Sequence, residues 1–485
     1  MCQAGKNSAA KLRLTPSVWR CIASFLLSAG AAFGTVATPI FAPGDAQASI
    51  GFYVSVTCVT SNSSIHYTTN GATPTLADPQ VPTGNLVMIQ RSLTLKAKAW
   101  VGSDTSAVMT ADYKVVGDIA AGGMHSMAVK TNQAVYGWGQ QEYGRLANRS
   151  GTLGRKTFPQ LSRRSSTVDF INGERVAAGL KHSVFLDSAG AVHAAGLNDL
   201  GQLGDNSTVT PTDFCSEPVV KSTTASDFLT GCIQVSAADN YSAALSDSST
   251  GGKVYTWGSN AFGRLGRIVN GDDLYAKSVK TATSPYSALT GIVQIAAGGN
   301  HMLARTAHMS ELAGGTGDVW VWGLNTSGQL GLGNTTSFNR ATQATILGNI
   351  SDISAGVAHS AAVKWNSNNQ GKVYCFGQQE FGRLGNGSVS SANVATPEVV
   401  LKWDNSPLEQ IVAVAAGPRH TLALDSNGKV WAWGGNADGE LGDNTLTGRG
   451  RARLVLDTDG SGSLSHIASI AAGGVDGAGF SQTLR

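Results

Sequence analysis

The chain has 485 residues, which is enough for more than one domain. Glycine is abundant, at 60 residues, whereas charged residues make up 14% of the chain against an average of about 25%. This composition favours a turn-rich β protein, because glycine supplies the positive φ angles of tight turns. The net charge of +3 is too small to indicate a nucleic-acid partner.

The N-terminal segment has the pattern of a secretory signal. The first 44 residues contain no acid, basic residues precede an uncharged run over residues 21–44, and Ala46-Gln47-Ala48 fits a cleavage site. This order predicts a signal peptide over residues 1–48, with the mature chain starting near Ser49. An uncleaved anchor helix is the alternative, although prolines interrupt the run. We therefore expect a secreted, cell-surface or periplasmic protein.

Residues 49–115 contain β-rich runs at 52–59, 65–69, 93–100 and 108–115, and the Asn-Gly pair after the second run is a hairpin signal. Short strands with close turns predict a small antiparallel sandwich. The stretches 65–75 and 95–99 resemble the chitobiase/β-hexosaminidase C-terminal domain, an immunoglobulin-like accessory module of bacterial secreted proteins. The resemblance implies a domain without catalysis. Carbohydrate binding through Tyr67 and Trp100 is the alternative to their packing in a core.

From residue 118 onwards one phrase, Ala-Ala-Gly or a close variant, returns at intervals of 56 to 61 residues. Its third position falls at Gly122, Gly179, Ala238, Gly298, Gly356, Gly417 and Gly473. A second phrase alternates with it, an apolar strand that usually ends in an aromatic-Gly pair and is followed by a Gly-x-Leu-Gly turn. Two hairpin-like halves give about four strands per unit, which is one propeller blade.

These two phrases in fixed order resemble the regulator of chromosome condensation repeat, and the resemblance implies a seven-bladed β-propeller. Closure into a ring would also cover the edges of the repeated sheets. The sequence has seven copies of the first phrase and six of the second. We predict an all-β protein in which a small N-terminal immunoglobulin-like β-sandwich precedes a seven-bladed β-propeller over residues 116–485, with an incomplete last blade. A truncated chain and six blades closed by an overlapping half remain open.

Several repeated or isolated residues invite a chemical interpretation. The same repeat position holds His125, His182, His301, His359 and His420. A ring of metal ligands is one interpretation, but each histidine belongs to a different blade, which favours a structural hydrogen bond repeated from blade to blade. The stretch 457–463 begins like a calcium loop, although a turn fits it better because no glutamate follows at the twelfth position. An oxidising compartment would let Cys215 and Cys232 pair.

Two loops are basic. The first contains Arg149, Arg155, Lys156, Arg163 and Arg164, and the sixth begins with Arg449, Arg451 and Arg453. Both follow a Leu-Gly turn, so we predict that they emerge on one face and form a cationic patch for an acidic partner or an anionic polymer such as a polysaccharide. Solvated loop charge without a partner is the alternative.

The sequence contains no nucleophile–base arrangement, paired-acid motif, phosphate-binding loop or dinucleotide fingerprint. We therefore predict a non-enzymatic, monomeric scaffold without metal or cofactor, which binds another protein through its propeller loops. Secreted propellers related to the repeat family include β-lactamase inhibitors, so enzyme inhibition is one form of this function. The alternatives are a guanine nucleotide exchange factor for a small GTPase, which the predicted export disfavours, and a carbohydrate-binding protein.

Overall fold

The computed structural model describes most of the chain. The described residues are 36–42, 44, 46–48, 52–81, 86–89, 93–115, 117–149, 154–165, 167–211, 216–269, 271–282, 286–307, 316–365, 371–460, 462–467, 469–474 and 482–484.

The N-terminal part of the chain forms two packed β-sheets. Its strands are β1 (Ile40–Ala42), β2 (Ala46–Ala48), β3 (Phe52–Thr57), β4 (Ser64–Thr68), β5 (Leu86–Ile89), β6 (Leu93–Val101), β7 (Asp104–Thr105) and β8 (Met109–Val115). One sheet has the order β1-β3-β5 and the other β2-β8-β6-β4, with β7 paired to β6. Strand β2 runs parallel to β8, whereas the other pairs are antiparallel.

Both sheets contribute to one apolar core, with Val54 and Ile89 from the first sheet and Leu95 and Ala97 from the second. On β6, alternate residues are buried because successive side chains of a strand point to opposite faces. Strands β3, β4, β6 and β8 lie where the sequence predicts them. Trp100 is also buried, so its ring is not available as a stacking platform for sugars. The relationship to immunoglobulin-like or chitobiase-type domains stays a prediction.

Strands β1 and β2 lie within the segment 1–48 that the sequence predicts as a signal peptide. Because β1 pairs with β3 and β2 pairs with β8, cleavage after Ala48 would remove both strands from the sandwich. The structured domain therefore starts upstream of the predicted boundary at residue 49. Residues 1–35, which carry the basic residues and much of the apolar run, lie outside the described residues.

The repeats form six four-stranded sheets, which we call blades 1 to 6. Their strands are β9 (Asp118–Ala121), β10 (His125–Val129), β11 (Val135–Gln140) and β12 (Arg155–Leu161); β13 (Gly173–Ala178), β14 (His182–Asp187), β15 (Val192–Gly196) and β16 (Glu217–Pro218); β17 (Cys232–Ala237), β18 (Tyr241–Ser246), β19 (Val254–Gly258) and β20 (Asp273–Ser278); β21 (Ile292–Ala297), β22 (His301–Thr306), β23 (Val319–Gly323) and β24 (Phe338–Gln343); β25 (Ile350–Ala355), β26 (His359–Trp365), β27 (Gly371–Gly377) and β28 (Val394–Val399); and β29 (Ile411–Ala416), β30 (His420–Asp425), β31 (Val430–Gly434) and β32 (Arg449–Leu454). A single 3-10 turn occurs at Ser248–Thr250, and tight turns at Glu142–Gly144, Ala261–Gly263 and Glu380–Gly382 follow the third strands of blades 1, 3 and 5.

The seventh copy of the first phrase contributes β33 (Ala471–Gly473), which pairs with β34 (Gln482–Leu484). Strand β33 contacts β29 on one side and β9 on the other, and the Gly474 N–H donates to the Gly122 carbonyl at 2.9 Å. The sheets therefore close into a ring around a narrow central channel of about 100 Å³, which all seven Ala-Ala-Gly segments line. The number of strands in the last blade stays a prediction, because residues 475–481 lie outside the described residues.

Burial follows strand position within each blade. The second strand is the most buried, and every residue of β14 and β30 is buried, because neighbouring blades cover both of its faces. The outer strand is mostly exposed, as β12 shows. In the described part of the chain, no helix has the length and apolarity needed to cross a bilayer.

Candidate interaction surface

Each blade presents two connections on one face of the ring, which we call the loop face. The first is the tight turn between its first and second strands, and the second is the long loop between its third and fourth strands. In blade 1 these connections are residues 122–124 and 141–154. Because neighbouring strands within a blade are antiparallel, both connections emerge at the same end.

A buried histidine at the start of the second strand ties blades 1, 2, 4 and 5 each to the next blade. The ring Nε2 lies within hydrogen-bond distance of a hydroxyl of the next blade in the pairs His125–Ser183 (2.7 Å), His182–Ser242 (2.8 Å), His301–Ser360 (2.8 Å) and His359–Thr421 (2.9 Å). The hydroxyl in turn donates to a carbonyl of the first blade, as Ser183 does to Arg145 at 2.8 Å. The hydroxyl proton is thus used, so Nε2–H is the donor. The structural hydrogen bond predicted from the sequence is confirmed for His125, His182, His301 and His359.

Glycine at the third position of Ala-Ala-Gly makes room for this imidazole. A β-carbon on Gly179 would lie 2.5 Å from His182 Cε1 and 2.3 Å from the carbonyl oxygen of Ala238. The third repeat departs at both positions together, with Ala238 and Tyr241. There the Tyr241 hydroxyl donates to the Gly298 carbonyl at 2.8 Å, so a phenol replaces the imidazole contact where the glycine is lost.

Burial keeps these imidazoles neutral. It lowers the pKa of His182 to about 4, of His301 to about 3 and of His420 to about 4, with the Arg145 charge adding to the effect at His182. The pKa of His125 and that of His359 are also lowered well below the ordinary value. Within the described residues no cluster of His, Cys, Asp or Glu side chains is placed to hold a metal.

The indoles of the aromatic-Gly pairs pack between blades. Trp257, Trp322 and Trp433 are fully buried, and each donates its Nε1–H to a carbonyl of the preceding blade, at 3.0 Å, 2.9 Å and 2.9 Å. These indoles therefore serve the packing of one blade against the next. Trp138 of blade 1 is only half-buried.

Three aromatic residues on the loop face adopt a backbone conformation that aromatic side chains rarely take. They are Tyr143 (φ 62°), Phe262 (φ 61°) and Phe381 (φ 64°), and they recur at an interval of 119 residues, in blades 1, 3 and 5. Each is the third residue of a turn closed by the following glycine N–H, as Gly144 N–H donates to the Gln141 carbonyl at 3.0 Å. This is a type II turn, whose third position ordinarily takes glycine or asparagine.

A buried arginine two residues later accounts for the type II turn. In blade 1, Arg145 donates from Nε to the Glu142 carbonyl at 3.0 Å and from Nη1 to the Leu180 carbonyl of blade 2 at 3.1 Å. Arg264 and Arg383 make the same pair of bonds. The arginine thus holds the carbonyl of the central peptide unit and joins the turn to the next blade.

Blades 2, 4 and 6 carry a hydrogen-bond acceptor at the position of this arginine. The central peptide unit of their turns has the opposite orientation to that in blades 1, 3 and 5. Gln202, Gln329 and Glu440 accept the N–H of the residue two positions earlier, at 2.8 Å, 2.9 Å and 2.9 Å. None of those N–H residues has a positive φ, as in a type I turn. Type I and type II turns differ by rotation of one peptide unit, so a donor or acceptor at this position selects the turn.

We expect Arg264→Gln to convert the blade 3 turn from type II to type I. The glutamine offers an acceptor to the Phe262 N–H, so the central peptide should rotate and φ of Phe262 should become negative. A crystal structure of the variant measures this angle directly. Gln329→Glu in blade 4 is the matched control and should leave the type I turn unchanged. If φ of Phe262 stays near +60° in the variant, the arginine does not select the turn.

Two of the three aromatics lie beside a cation of the next blade. The Lys181 Nζ lies 5.6 Å from the Tyr143 ring centroid, and the Arg419 guanidinium lies 4.8 Å from that of Phe381. Both cations precede the histidine in the tight turn of the following blade. Phe262 has Asn300 at the equivalent place and is the most exposed of the three, at 59% against 36% for Tyr143 and 37% for Phe381.

The structure separates the basic residues that the sequence grouped into one patch. Arg155 and Lys156 begin β12 on the loop face, whereas Arg163 and Arg164 follow its other end. A seven-residue strand is about 23 Å long, so the first basic loop is divided between opposite faces. Arg149 lies on the loop face within the connection 141–154, ahead of β12.

Several of these cations also have partners within the chain. Arg163 pairs with Asp169 at 3.1 Å and Arg164 with Asp187 at 3.4 Å. In the sixth loop, Arg449 bonds to Asp443, Arg451 to Asn405, and the Arg453 guanidinium lies over Trp403. The single-face arrangement predicted for the two loops is therefore corrected, while a partner-binding role for the individual residues stays a prediction.

Two smaller predictions concern the cysteines and the acidic loop. Cys232 is buried at the start of β17, and Cys215 lies outside the described residues, so their pairing stays a prediction. The loop after β32 contains a turn in which the Gly460 N–H donates to the Asp457 carbonyl at 3.1 Å. The Asp457 carboxylate accepts the Gly462 N–H at 3.1 Å, so this carboxylate stabilises the turn.

The sequence did not lead us to predict the three aromatics with a left-handed backbone conformation or the cations beside them. The signal that could have found them is the phrase aromatic-Gly-Arg-Leu, which occurs in alternate units only. The type of turn could not be read from that phrase, because it depends on which backbone group the arginine reaches in the folded chain.

The fold and the repeated contacts between blades define a closed β-propeller built from tandem repeats. The chain belongs to the RCC1-like domain family, whose model matches residues 104–476. This confirms the resemblance to the regulator of chromosome condensation repeat and the all-β propeller predicted from it.

Two curated relatives illustrate the similarity. The mouse E3 ubiquitin-protein ligase HERC2 is 30% identical over 351 residues, which are 70% of this chain and 6% of HERC2. The ultraviolet-B receptor UVR8 of Arabidopsis thaliana is 34% identical over 275 residues, which are 56% of this chain and 55% of UVR8. The chain therefore spans a small part of HERC2 and about half of UVR8.

Solved structures show the same fold at lower identity. Human WBSCR16 is 18% identical with a TM-score of 0.58, covering 87% of this chain and 99% of that protein. Prp20p of Saccharomyces cerevisiae is 19% identical with a TM-score of 0.56, covering 87% of this chain and 91% of that protein.

Proposed function

We propose that this protein is an interaction module that binds a protein partner on its loop face. The observation that carries the proposal is the trio Tyr143, Phe262 and Phe381. Each is exposed, and each holds a left-handed conformation that costs about 1–2 kcal/mol for a residue with a β-carbon. Strain of this kind concentrates at binding sites, and exposed aromatics beside cations are typical of interface centres.

The arrangement of the ring supports this use of the face. Histidine and indole bonds between blades occupy the buried positions and hold the blades in fixed orientations. The loops that emerge from them differ in length and sequence from unit to unit, which suits recognition on a rigid scaffold. The relatives are consistent with a protein partner, because Prp20p was characterised with its binding properties to Gsp1p and histones. Inhibition of a partner enzyme is one form that such binding takes.

The predicted export is part of the proposal. Basic residues followed by an uncharged run in residues 1–44 support a secreted or cell-surface location. Because β1 pairs within the sandwich, the proposal places any cleavage before Ile40. The N-terminal domain then acts as an accessory module beside the propeller, which carries the binding surface.

The test is differential capture. A triple variant, Tyr143→Asn, Phe262→Asn and Phe381→Asn, removes the rings while asparagine tolerates the left-handed conformation, so we expect its thermal stability to be maintained. Immobilised wild-type protein and the variant are compared for proteins retained from culture medium and cell-envelope extract by quantitative mass spectrometry. We expect at least one protein to be retained by the wild type and lost, by about tenfold or more, with the variant.

The matched control is Phe158→Ser, which removes an exposed ring from the outer strand β12. It should retain every protein that the wild type retains. If the triple variant and this control capture the same proteins in the same amounts, the loop face is not the binding surface and the proposal fails.

A further inference from the structure

The two aromatic–cation pairs, Tyr143 with Lys181 and Phe381 with Arg419, have the same construction. In each, the ring comes from the long loop of one blade and the cation from the tight turn of the next. The pairs lie at the junctions of blades 1 and 2 and of blades 5 and 6. They therefore stand on different sides of the channel mouth, and the two sites can contact one partner at two points.

Both cations are half-buried and lie against an aromatic face. The nearby acids Glu142 and Glu380 each lie within 4 Å of a buried arginine of their own turn, Arg145 at 3.8 Å and Arg383 at 3.9 Å. Their charge is thus offset locally. A carboxylate that reaches the cation of a pair is attracted in a partly desolvated setting, where the interaction is stronger than in water.

The junction of blades 3 and 4 has the ring without the cation. Phe262 is present, but Asn300 occupies the position of Lys181 and Arg419. The acid Asp239 lies at the channel mouth on this side and is close enough to act on the Arg264 charge. This junction therefore offers a partner an apolar contact but does not attract an anion. It serves as a comparison for the two junctions that carry a cation.

We infer that the loop face recognises an acidic segment of a protein that also carries aliphatic side chains. One carboxylate of the segment lies against Lys181 and another against Arg419, while aliphatic groups cover the rings of Tyr143 and Phe381. This inference rests on the proposed function and specifies the chemistry of the partner. It also replaces the patch predicted from the sequence with two cations that the fold places beside exposed rings.

The test uses three fluorescent peptides of equal length, with repeating Glu-Leu, Glu-Ser and Lys-Leu, and the full-length protein. Binding is measured by fluorescence anisotropy. We expect the Glu-Leu peptide to bind at least about tenfold more tightly than either of the others. Its affinity should fall as salt rises from about 50 to about 300 mM, because screening weakens exposed charge interactions.

Variants test whether the two cations contribute to binding of the Glu-Leu peptide. Lys181→Glu combined with Arg419→Glu should weaken Glu-Leu binding by about tenfold or more, because it places like charges against the peptide. Asn300→Lys adds a cation beside Phe262 and should strengthen binding by about threefold. Lys364→Glu, at the end of β26 away from the tight turns, is the charge control and should have no effect.

Equal affinity for the three peptides, or unchanged Glu-Leu binding in the double charge-reversal variant, would overturn the inference. Its failure is distinguishable from failure of the proposed function. If the asparagine variants lose a captured protein while charge reversal leaves that capture intact, the loop face binds a partner of different chemistry. If neither set of variants changes capture, the proposed function itself fails.

Discussion

Lowering the pH from 7 to 5 is expected to destabilise the propeller by several kcal/mol. The histidines between blades are buried and neutral, and the pKa of His182 and that of His420 are lowered to about 4 and that of His301 to about 3. An unfolded histidine titrates near 6.5. Between these values the unfolded chain binds protons that the folded chain does not, so stability falls as pH falls below 6.5.

The expected size follows from the number of groups. A histidine with a folded pKa near 4 contributes about 2 kcal/mol of destabilisation at pH 5, and five histidines share this environment. Two buried acids act in the opposite direction, because burial raises the pKa of Asp118 and that of Asp352. These two acids therefore act against the effect of the five histidines.

Urea unfolding followed by tryptophan fluorescence at pH 7, 6 and 5 measures this dependence, because the buried indoles report on the propeller. His301→Gln is the diagnostic variant. It should be less stable than the wild type at pH 7. Its unfolding below pH 6.5 should take up about one proton fewer than unfolding of the wild type, so its stability should depend less steeply on pH. A free energy of unfolding that is the same at pH 7 and pH 5 would contradict the neutral, buried state of the ring of histidines.

The second large effect is expected for Gly179→Ala. The added methyl group would lie 2.3 Å from the Ala238 carbonyl oxygen and 2.5 Å from the His182 ring, and neither neighbour is the free end of a flexible side chain. The strand or the imidazole must shift, which would break the bond from His182 to Ser242. We expect a loss of about 3 kcal/mol in the free energy of unfolding.

The third repeat supplies the compensating change, because Ala238 occurs there with Tyr241. Adding His182→Tyr to Gly179→Ala should therefore recover part of the loss. Gly348→Ala is the neutral control, since no atom lies within 4 Å of the added carbon and φ is not positive. Chemical denaturation of the wild type, Gly179→Ala, His182→Tyr and the double variant forms a double-variant cycle, and Gly348→Ala is measured beside it. If Gly179→Ala is as stable as Gly348→Ala, the close packing at the tight turn is not required.

The sequence predicts the repeated parts of the fold because repetition marks them. A glycine that recurs with a histidine three residues later indicates one contact made many times, and the bonds of His125, His182 and His301 agree with this interpretation. The recurring aromatic-Gly pair marks the buried indoles in the same way. Features that depend on two distant segments could not be predicted in this way. The parallel pairing of β2 with β8 joins a three-residue strand to a partner more than sixty residues away.

The candidate surface was harder to predict for a related reason. Charges that are close in sequence are separated by β12, so Arg155 and Arg163 lie on opposite faces. Conversely, Tyr143 and Lys181 belong to different repeats and meet only when blades 1 and 2 pack against each other. The left-handed turn at Tyr143 also depends on the carbonyl that Arg145 reaches. Predicting any of these features requires knowing how neighbouring blades are aligned, and the repeat period alone does not provide this.

The most direct test of the central claim measures how strongly a captured partner binds the wild type and the Tyr143, Phe262 and Phe381 asparagine variants, alongside their unfolding. We predict that affinity falls by about tenfold or more in the triple variant. The free energy of unfolding should stay the same or rise, because left-handed strain is relieved. Unchanged affinity in a variant that remains folded would contradict the assignment of the loop face as the binding surface.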